Sequence, residues 1–598
     1  MTTPQQPDHA QTAKVYAQVA ERSSKILGDF LKRHADGKGI AFTDEFGLAK
    51  AYMDLAAKML ANPWKLAETQ MKMFWDYLAL WQSSTLKMMG HGAEPVVHPD
   101  KGDTRWRDED WQNHFLFDYF KQSYLISARH IHDAVCCVEG LSEEAQKKVN
   151  FFTRQYIDAL SPSNFALTNP QVLRETVASG GQNLVRGLNN LLEDIDRGNG
   201  RLRIKMTDAN AFKVGVNVAT TPGKVVWQTD LMQLIQYEPL TEDVYKRPLL
   251  IIPPWINKYY ILDLRQKNSF IRWAVEQGHT VFIVSWVNPD RRHAAKSFED
   301  YMVEGSLAAL DAIERATGES EVNVIGYCLG GTLLGATLAW MAENKDERFV
   351  SSTFFVSLLD FSIPGELGVF IDEEQVESLE KRMNERGYLE GSEMGATFNM
   401  LRANDLIWSF VINNYLLGKE PFPFDLLYWN SDSTRMPAKM HSFYLRNMYM
   451  KNALKDPGGI ILGGVPIDLR KIRIPAYFIS TAEDHIAPWK STYLGARLLS
   501  GPVRFVLGGS GHIAGIVNPP AANKYGYWTR DKLEQSPQAW QEQAQFHEGS
   551  WWTDWQAWID RQNGDARVPA RTPGKGKLKA IEDAPGSYVS VHLDAKQA

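Results

Sequence analysis

The apolar, β-prone residues Val322–Ile325 run directly into Gly326-Tyr327-Cys328-Leu329-Gly330-Gly331, and the sequence then becomes helical. A strand that turns into a helix within one residue forces that residue into a strained backbone conformation. The turn also brings strand and helix so close that its neighbours must be glycine. This is the nucleophile-elbow pattern with cysteine in the serine position. Such a turn lifts the sulfur above the end of a sheet, and the N-terminus of the following helix favours a thiolate there. Alone, G-x-C-x-G describes a buried structural cysteine equally well. The strand before it, the helix after it and the order of residues downstream favour a reactive one.

An elbow of this kind needs a parallel sheet. Compact β-rich runs occur at Pro248–Ile252, Thr280–Trp286, Val322–Gly326, Phe349–Leu358, Ala476–Ser480 and Val503–Leu507. Helical segments such as Ile261–Glu276 and Ser306–Ala316 separate them, and Val214–Val218 and Val225–Gln228 read as short strands joined by a Pro-Gly turn. Strands alternating with helices predict right-handed crossovers and a mostly parallel central sheet. The alternation pauses over 365–445, a stretch rich in Leu, Trp, Tyr and Phe that includes DLIWSFVINNYLLG and FDLLYWN. Inserted at the carboxyl edge of the sheet, it would cover the site as a cap. The pattern resembles the α/β-hydrolase fold, with a cap or lid insertion and a helical N-terminal domain. The expected divisions are a helical region over 1–203, core over 204–364, cap over 365–445, core again over 446–563, and an extended tail over 564–598.

In that fold an acid follows a late strand and a histidine follows the last one, in the order nucleophile, acid, histidine. Ala476–Ser480 leads into Thr481-Ala482-Glu483-Asp484, and Val503–Leu507 leads into Gly508-Gly509-Ser510-Gly511-His512. The expected triad is Cys328, Asp484 and His512, with His512 deprotonating the thiol. Glu483 and His485 are the neighbouring rivals of Asp484, whose shorter side chain is preferred. An oxyanion hole needs two main-chain N–H donors. Leu329, after the nucleophile, supplies one. The loop Pro253-Pro254-Trp255-Ile256-Asn257 supplies the other, and because proline has no N–H the choice falls between Trp255 and Ile256.

Composition excludes several classes. A chain of 598 residues implies roughly two to four structural units. A net charge of −6 argues against a nucleic-acid partner. Three cysteines, two of them the adjacent Cys136 and Cys137, provide no disulfide framework and fit a reducing, cytoplasmic setting. The start lacks the basic-then-apolar layout of a signal peptide, and the longest apolar run, LLGATLAWMA, is too short to span a bilayer and reads as a buried core helix. The 19 Trp, 22 Tyr and 27 Phe serve either a bulky core or an apolar binding surface. The same choice applies to the N-terminal stripes Leu48, Tyr52, Leu55, Met59 and Phe74, Tyr77, Leu78, Trp81, which either pack inward or face a partner.

With these residues placed, the sequence resembles the class I polyhydroxyalkanoate synthases. The resemblance covers roughly residues 60–598 and rests on PPWINKYYILDLR, GYCLGGT, LRANDLIW, FDLLYWN, STAEDHIAPW and GSGHIAGIVNPP. It implies polymerisation of (R)-3-hydroxyacyl-CoA, short-chain units such as 3-hydroxybutyryl-CoA among them, with release of CoA. It implies further that Cys328 carries the acyl group, that His512 is its base, and that Asp484 helps activate the 3-hydroxyl of the incoming unit. The same resemblance implies a homodimer at the surface of cytoplasmic polymer granules, in contact with granule-coat proteins, and no metal or other cofactor. A thioesterase or polyester depolymerase on the same fold, or an inactive granule scaffold, are the alternatives. Cysteine in the serine position argues against the first, and an intact triad against the second.

Overall fold

The computed structural model describes residues 48–136, 138–198, 200 and 202–591. The expectations for the chain start and for Cys137 lie outside the described residues. The chain forms two compact units. Among the described residues, one comprises those up to Asp208 together with Phe398–Phe422, and the other Ala209–Thr397 together with those from Pro423 onward.

The first unit is helical. Asn62 ends α1 (Leu48–Ala61) and caps α2 (Pro63–Met88), its side chain accepting from the N–H of Lys65 with proline at the first helical position. Ala51 and Leu55 pack against Val135 and Val149, so the first stripe turns inward. The second stripe divides. The Tyr77 hydroxyl lies 2.6 Å from Ser127 Oγ on α3 (Phe115–Cys136), whereas Phe74 and Trp81 remain exposed.

Part of the sequence expected to form the cap, Phe398–Phe422, also belongs to this unit. Segment 398–422 contains two π-helical turns, Asn404–Trp408 and Val411–Leu416, and lies along α4 (Gln182–Arg197). Asn183 Nδ2 donates to the carbonyl of Leu416 over 2.8 Å, and the Tyr415 hydroxyl donates to Asp194 Oδ2 over 2.6 Å. A Cβ on Gly187 would stand 1.8 Å from the Tyr415 carbonyl oxygen, so only glycine permits this approach.

The second unit is built on one eleven-stranded sheet. In chain order its strands are β1 (Gly223–Gln228), β2 (Met232–Tyr237), β3 (Leu249–Ile252), β4 (Val281–Trp286), β5 (Val322–Tyr327), β6 (Phe349–Phe355), β7 (Ala476–Thr481), β8 (Val503–Gly508), β9 (Tyr527–Arg530), β10 (Gln545–His547) and β11 (Glu582–Asp583). They lie in the order β10-β9-β8-β7-β6-β5-β3-β4-β2-β1-β11. From β4 through β8 every pairing is parallel, and the flanking strands pair antiparallel. Every residue of β3, β4 and β5 is buried, as expected where helices cover both faces of a parallel sheet. Tryptophan fills one face: Trp552 and Trp555 pack edge-on against Phe270, and Trp551 against Phe355. The helix Leu329–Glu343, which carries LLGATLAWMA, is buried along most of its length.

Three expectations change. Val214–Val218 is a tight turn closed by a single bridge, because Gly215 at φ +79° and Ala219 at φ +54° curl the chain. Of Ile261–Glu276, only Phe270–Glu276 is α-helical, capped by Ser269, with short 3₁₀ turns ahead of it. The stretch expected as an extended tail from 564 is strand-paired within its described part: Arg567–Pro569 pairs with Asp243–Tyr245, and β11 pairs with β1. Among the described residues, no helix is long and apolar enough to cross a membrane.

Candidate active site

Cys328 sits between the end of β5 and the helix Leu329–Glu343, at φ +51° and ψ −116°. A non-glycine residue in that region is strained and persists only where its surroundings enforce it. They do so here. The Cys328 N–H donates to the carbonyl of Phe355 over 2.9 Å, and its own carbonyl accepts from Gly331 and Thr332. All three glycines of the motif are required. A Cβ would come within 2.5 Å of Gly331 Cα at Gly326, 2.0 Å of the Ile252 oxygen at Gly330, and 1.9 Å of Ser357 Oγ at Gly331. Leu329 opens the helix, so its N–H has no intrahelical acceptor and stands beside the sulfur's residue.

Asp484 follows β7 and His512 follows β8, both at the carboxyl edge that carries Cys328. Asp484 Oδ2 lies 2.7 Å from His512 Nδ1. Its Oδ1 accepts the N–H groups of Ile486 at 2.9 Å and Ala487 at 2.8 Å. Both side chains are buried, whereas Glu483 is exposed, so Asp484 rather than Glu483 meets the histidine. Burial alone would disfavour the charged imidazole. The Asp484 carboxylate, together with the charge and hydrogen bond of Cys328, outweighs it and pushes His512 up to about 10. The ring is therefore poised to hold a proton between a carboxylate and a sulfur. Tyr327 stacks on it at 5.9 Å and points its hydroxyl at the His512 carbonyl.

Above the elbow lies an aromatic wall that the sequence reading did not single out. Helix Ala438–Tyr444 continues into a π-helical stretch, Leu445–Met450. The wider π turn pairs residues five apart, and Tyr444 and Tyr449 accordingly lie on one side, 5.9 Å between ring centres. Phe361 contacts both, and Trp255 and Phe298 extend the wall through Tyr444. Burial, reinforced by the charges of Cys328 and Asp484, holds the Tyr449 phenol far above its usual range. The five-residue spacing of the two tyrosines was the available signal, and it reads as neither helix nor strand. Among the described residues, no group of His, Cys, Asp and Glu is arranged to hold a metal ion.

A cysteine on a strained strand-to-helix turn, facing a histidine–carboxylate pair at the carboxyl edge of a mostly parallel sheet, defines an α/β-hydrolase-fold enzyme. Residues 265–519 match the alpha/beta hydrolase fold family, and residues 102–274 match the N-terminus of Poly-beta-hydroxybutyrate polymerase (PhaC). The chain is 49% identical to the poly(3-hydroxyalkanoate) polymerase subunit PhaC of Rhizobium meliloti, over 96% of this chain and 94% of that one. It is 47% identical to the poly(3-hydroxyalkanoate) polymerase of Methylorubrum extorquens, over 98% of both chains. It is 42% identical to the PhaC subunit of Cupriavidus necator, over 90% of both. The chain belongs to the poly(3-hydroxyalkanoate) polymerase family, and as a member of it is an acyltransferase.

Proposed function

We propose that this enzyme polymerises (R)-3-hydroxyacyl-CoA, short-chain units included, through a covalent thioester on Cys328. The observation that carries the reading is the buried His512–Asp484 pair acting on the sulfur of a strained elbow, in a chain of this family. His512 takes the thiol proton, and the Cys328 sulfur attacks the acyl-CoA carbonyl. The oxyanion so formed is stabilised by the N–H of Leu329 and by a second donor from Trp255 or Ile256. Collapse of that intermediate breaks the bond to CoA, which leaves as thiol with the proton from His512. Exchanging one thioester for another costs little, so the acyl group stays reactive towards a hydroxyl. Asp484 and His512 then help the 3-hydroxyl of the next unit attack Cys328's acyl group, forming the ester and freeing the thiol. The wall of Phe361, Tyr444 and Tyr449 favours polymer over free acid by limiting water at the sulfur.

By the same reading CoA is a product, no cofactor takes part, and the working enzyme is a homodimer on cytoplasmic polymer granules. The deciding assay is CoA release from (R)-3-hydroxybutyryl-CoA, with the product sized. Wild type should release thiol and make high-mass polyester, and Cys136→Ala should do the same. Cys328→Ala should lose about a thousandfold or more of the release. Free 3-hydroxybutyrate as the sole product would make the protein a thioesterase instead.

A further inference from the structure

Loop 253–258 leaves β3 beside the elbow, where a Cβ on Gly330 would come within 2.0 Å of the Ile252 oxygen and 2.8 Å of the Pro253 oxygen. Its carbonyls are held one after another. Trp286 Nε1 donates to Pro253 over 2.8 Å, and Trp429 Nε1 donates to Lys258 over 2.7 Å. Between them, the Thr434 hydroxyl donates to the carbonyl of Trp255, and the Thr434 N–H donates to that of Ile256 over 3.3 Å. Asn257 and Ser433 complete an antiparallel bridge. An ion pair fastens the two segments: Lys258 Nζ lies 2.7 Å from Asp432 Oδ1, with the side chains 3% and 4% exposed. Tyr260 donates its hydroxyl to Asp432 Oδ2 over 2.8 Å. Separating a buried pair strands an uncompensated charge, so this junction resists opening.

The peptide unit is planar and trans, so its C=O and the following N–H point in opposite directions. Holding the Trp255 carbonyl on Thr434 therefore fixes the direction of the Ile256 N–H. Resting on the reading of Cys328 as the acyl-accepting nucleophile, we propose that Thr434, anchored by the Lys258–Asp432 pair, is a positioning residue that aims the Ile256 N–H at the oxyanion. Ile256, rather than Trp255, is then the second donor, and the segment after Phe424 serves the chemistry as well as covering it.

Two reactions at the same sulfur test this. Acyl transfer from (R)-3-hydroxybutyryl-CoA builds an oxyanion. Alkylation of Cys328 by iodoacetamide displaces iodide at a saturated carbon and builds none. Thr434→Val keeps the shape and removes the donor. It should lower kcat for CoA release about tenfold or more, as displacement of a catalytic donor does, while leaving KM and the alkylation rate near wild type. Thr434→Ser, which keeps the hydroxyl, should restore most of kcat. Wild-type kcat in Thr434→Val, a parallel fall in alkylation, or equal impairment in Thr434→Ser would overturn the proposal. If Thr434→Val does not fold, Tyr260→Phe, which loosens the anchor at Asp432, is judged by the same comparison. Cys328→Ala in the same assay separates the two readings. If it still releases CoA at the wild-type rate, the nucleophile assignment fails; if it is inactive while Thr434→Val is unimpaired, only the positioning role fails.

Discussion

Asp484 meets His512 through one carboxylate oxygen, 2.7 Å from Nδ1, while its other oxygen is occupied by the N–H groups of Ile486 and Ala487. The carboxylate is thus fixed by the chain on one side and fixes the ring on the other. Asp484→Asn should still allow acylation of Cys328 but slow chain growth by about a hundredfold or more. Rapid-quench measurement of acyl-enzyme against polymer length checks this, and elongation at the wild-type rate would refute the role of Asp484. Exposed Glu483, changed to Gln, should be without effect.

The raised value for His512 makes stability depend on pH. The folded protein holds this proton up to about 10, whereas the unfolded chain releases it near the ordinary histidine value of 6.5. Between those values the native state binds more protons, so its stability falls as pH rises. The stabilisation is full below the unfolded value and gone above the folded one. Melting temperatures from pH 6 to pH 10 should trace this decline. Cys328→Ala, which removes one of the two favourable partners, should flatten it.

Gly330→Ala would force a Cβ to within 2.0 Å of the main-chain oxygen of Ile252, an atom that a central strand cannot yield. A loss of about 3 kcal/mol, the upper end for overpacking, is expected, along with loss of CoA release. Gly395 is the matched control, since it lies in the helix Gly391–Leu401 with no atom within 4 Å of where a Cβ would stand. There alanine should stabilise by about 0.5–1 kcal/mol. Urea denaturation of both variants decides the point.

If the tyrosine wall keeps water from the acyl group, thinning it should divert product. Tyr449→Ala should raise the fraction of free hydroxy acid several-fold over wild type at similar total CoA release. Chromatography of the products measures the ratio, and an unchanged ratio would remove Tyr449 from that role.

Much of the fold and of the candidate site's geometry was legible because it depends on local constraints. Glycines around Cys328, acid and histidine after successive strands, and apolar runs of β length each carry their reason within a few residues. What escaped was set by distant partners. β11 is two residues of Glu-Asp with no apolar alternation, and it becomes a strand only because β1 offers it an edge. DLIWSFVINNYLLG is apolar enough for a cap, yet all of it belongs with the helical unit, where Gly187 leaves room for Tyr415. The Thr434 contact with Trp255 spans 179 residues and follows from no local pattern.

The pairing of β11 with β1 also bears on how the protein is made. Lys224 and its strand partner Asp583 are 359 residues apart. During synthesis the rest of the sheet can assemble while β1 still presents unpaired N–H and C=O groups, a template for joining another chain. A nascent polypeptide halted before residue 582 would keep that sticky border open. Ribosomal stalling or premature stops in the last stretch should therefore yield aggregates rather than a soluble, slightly shortened enzyme.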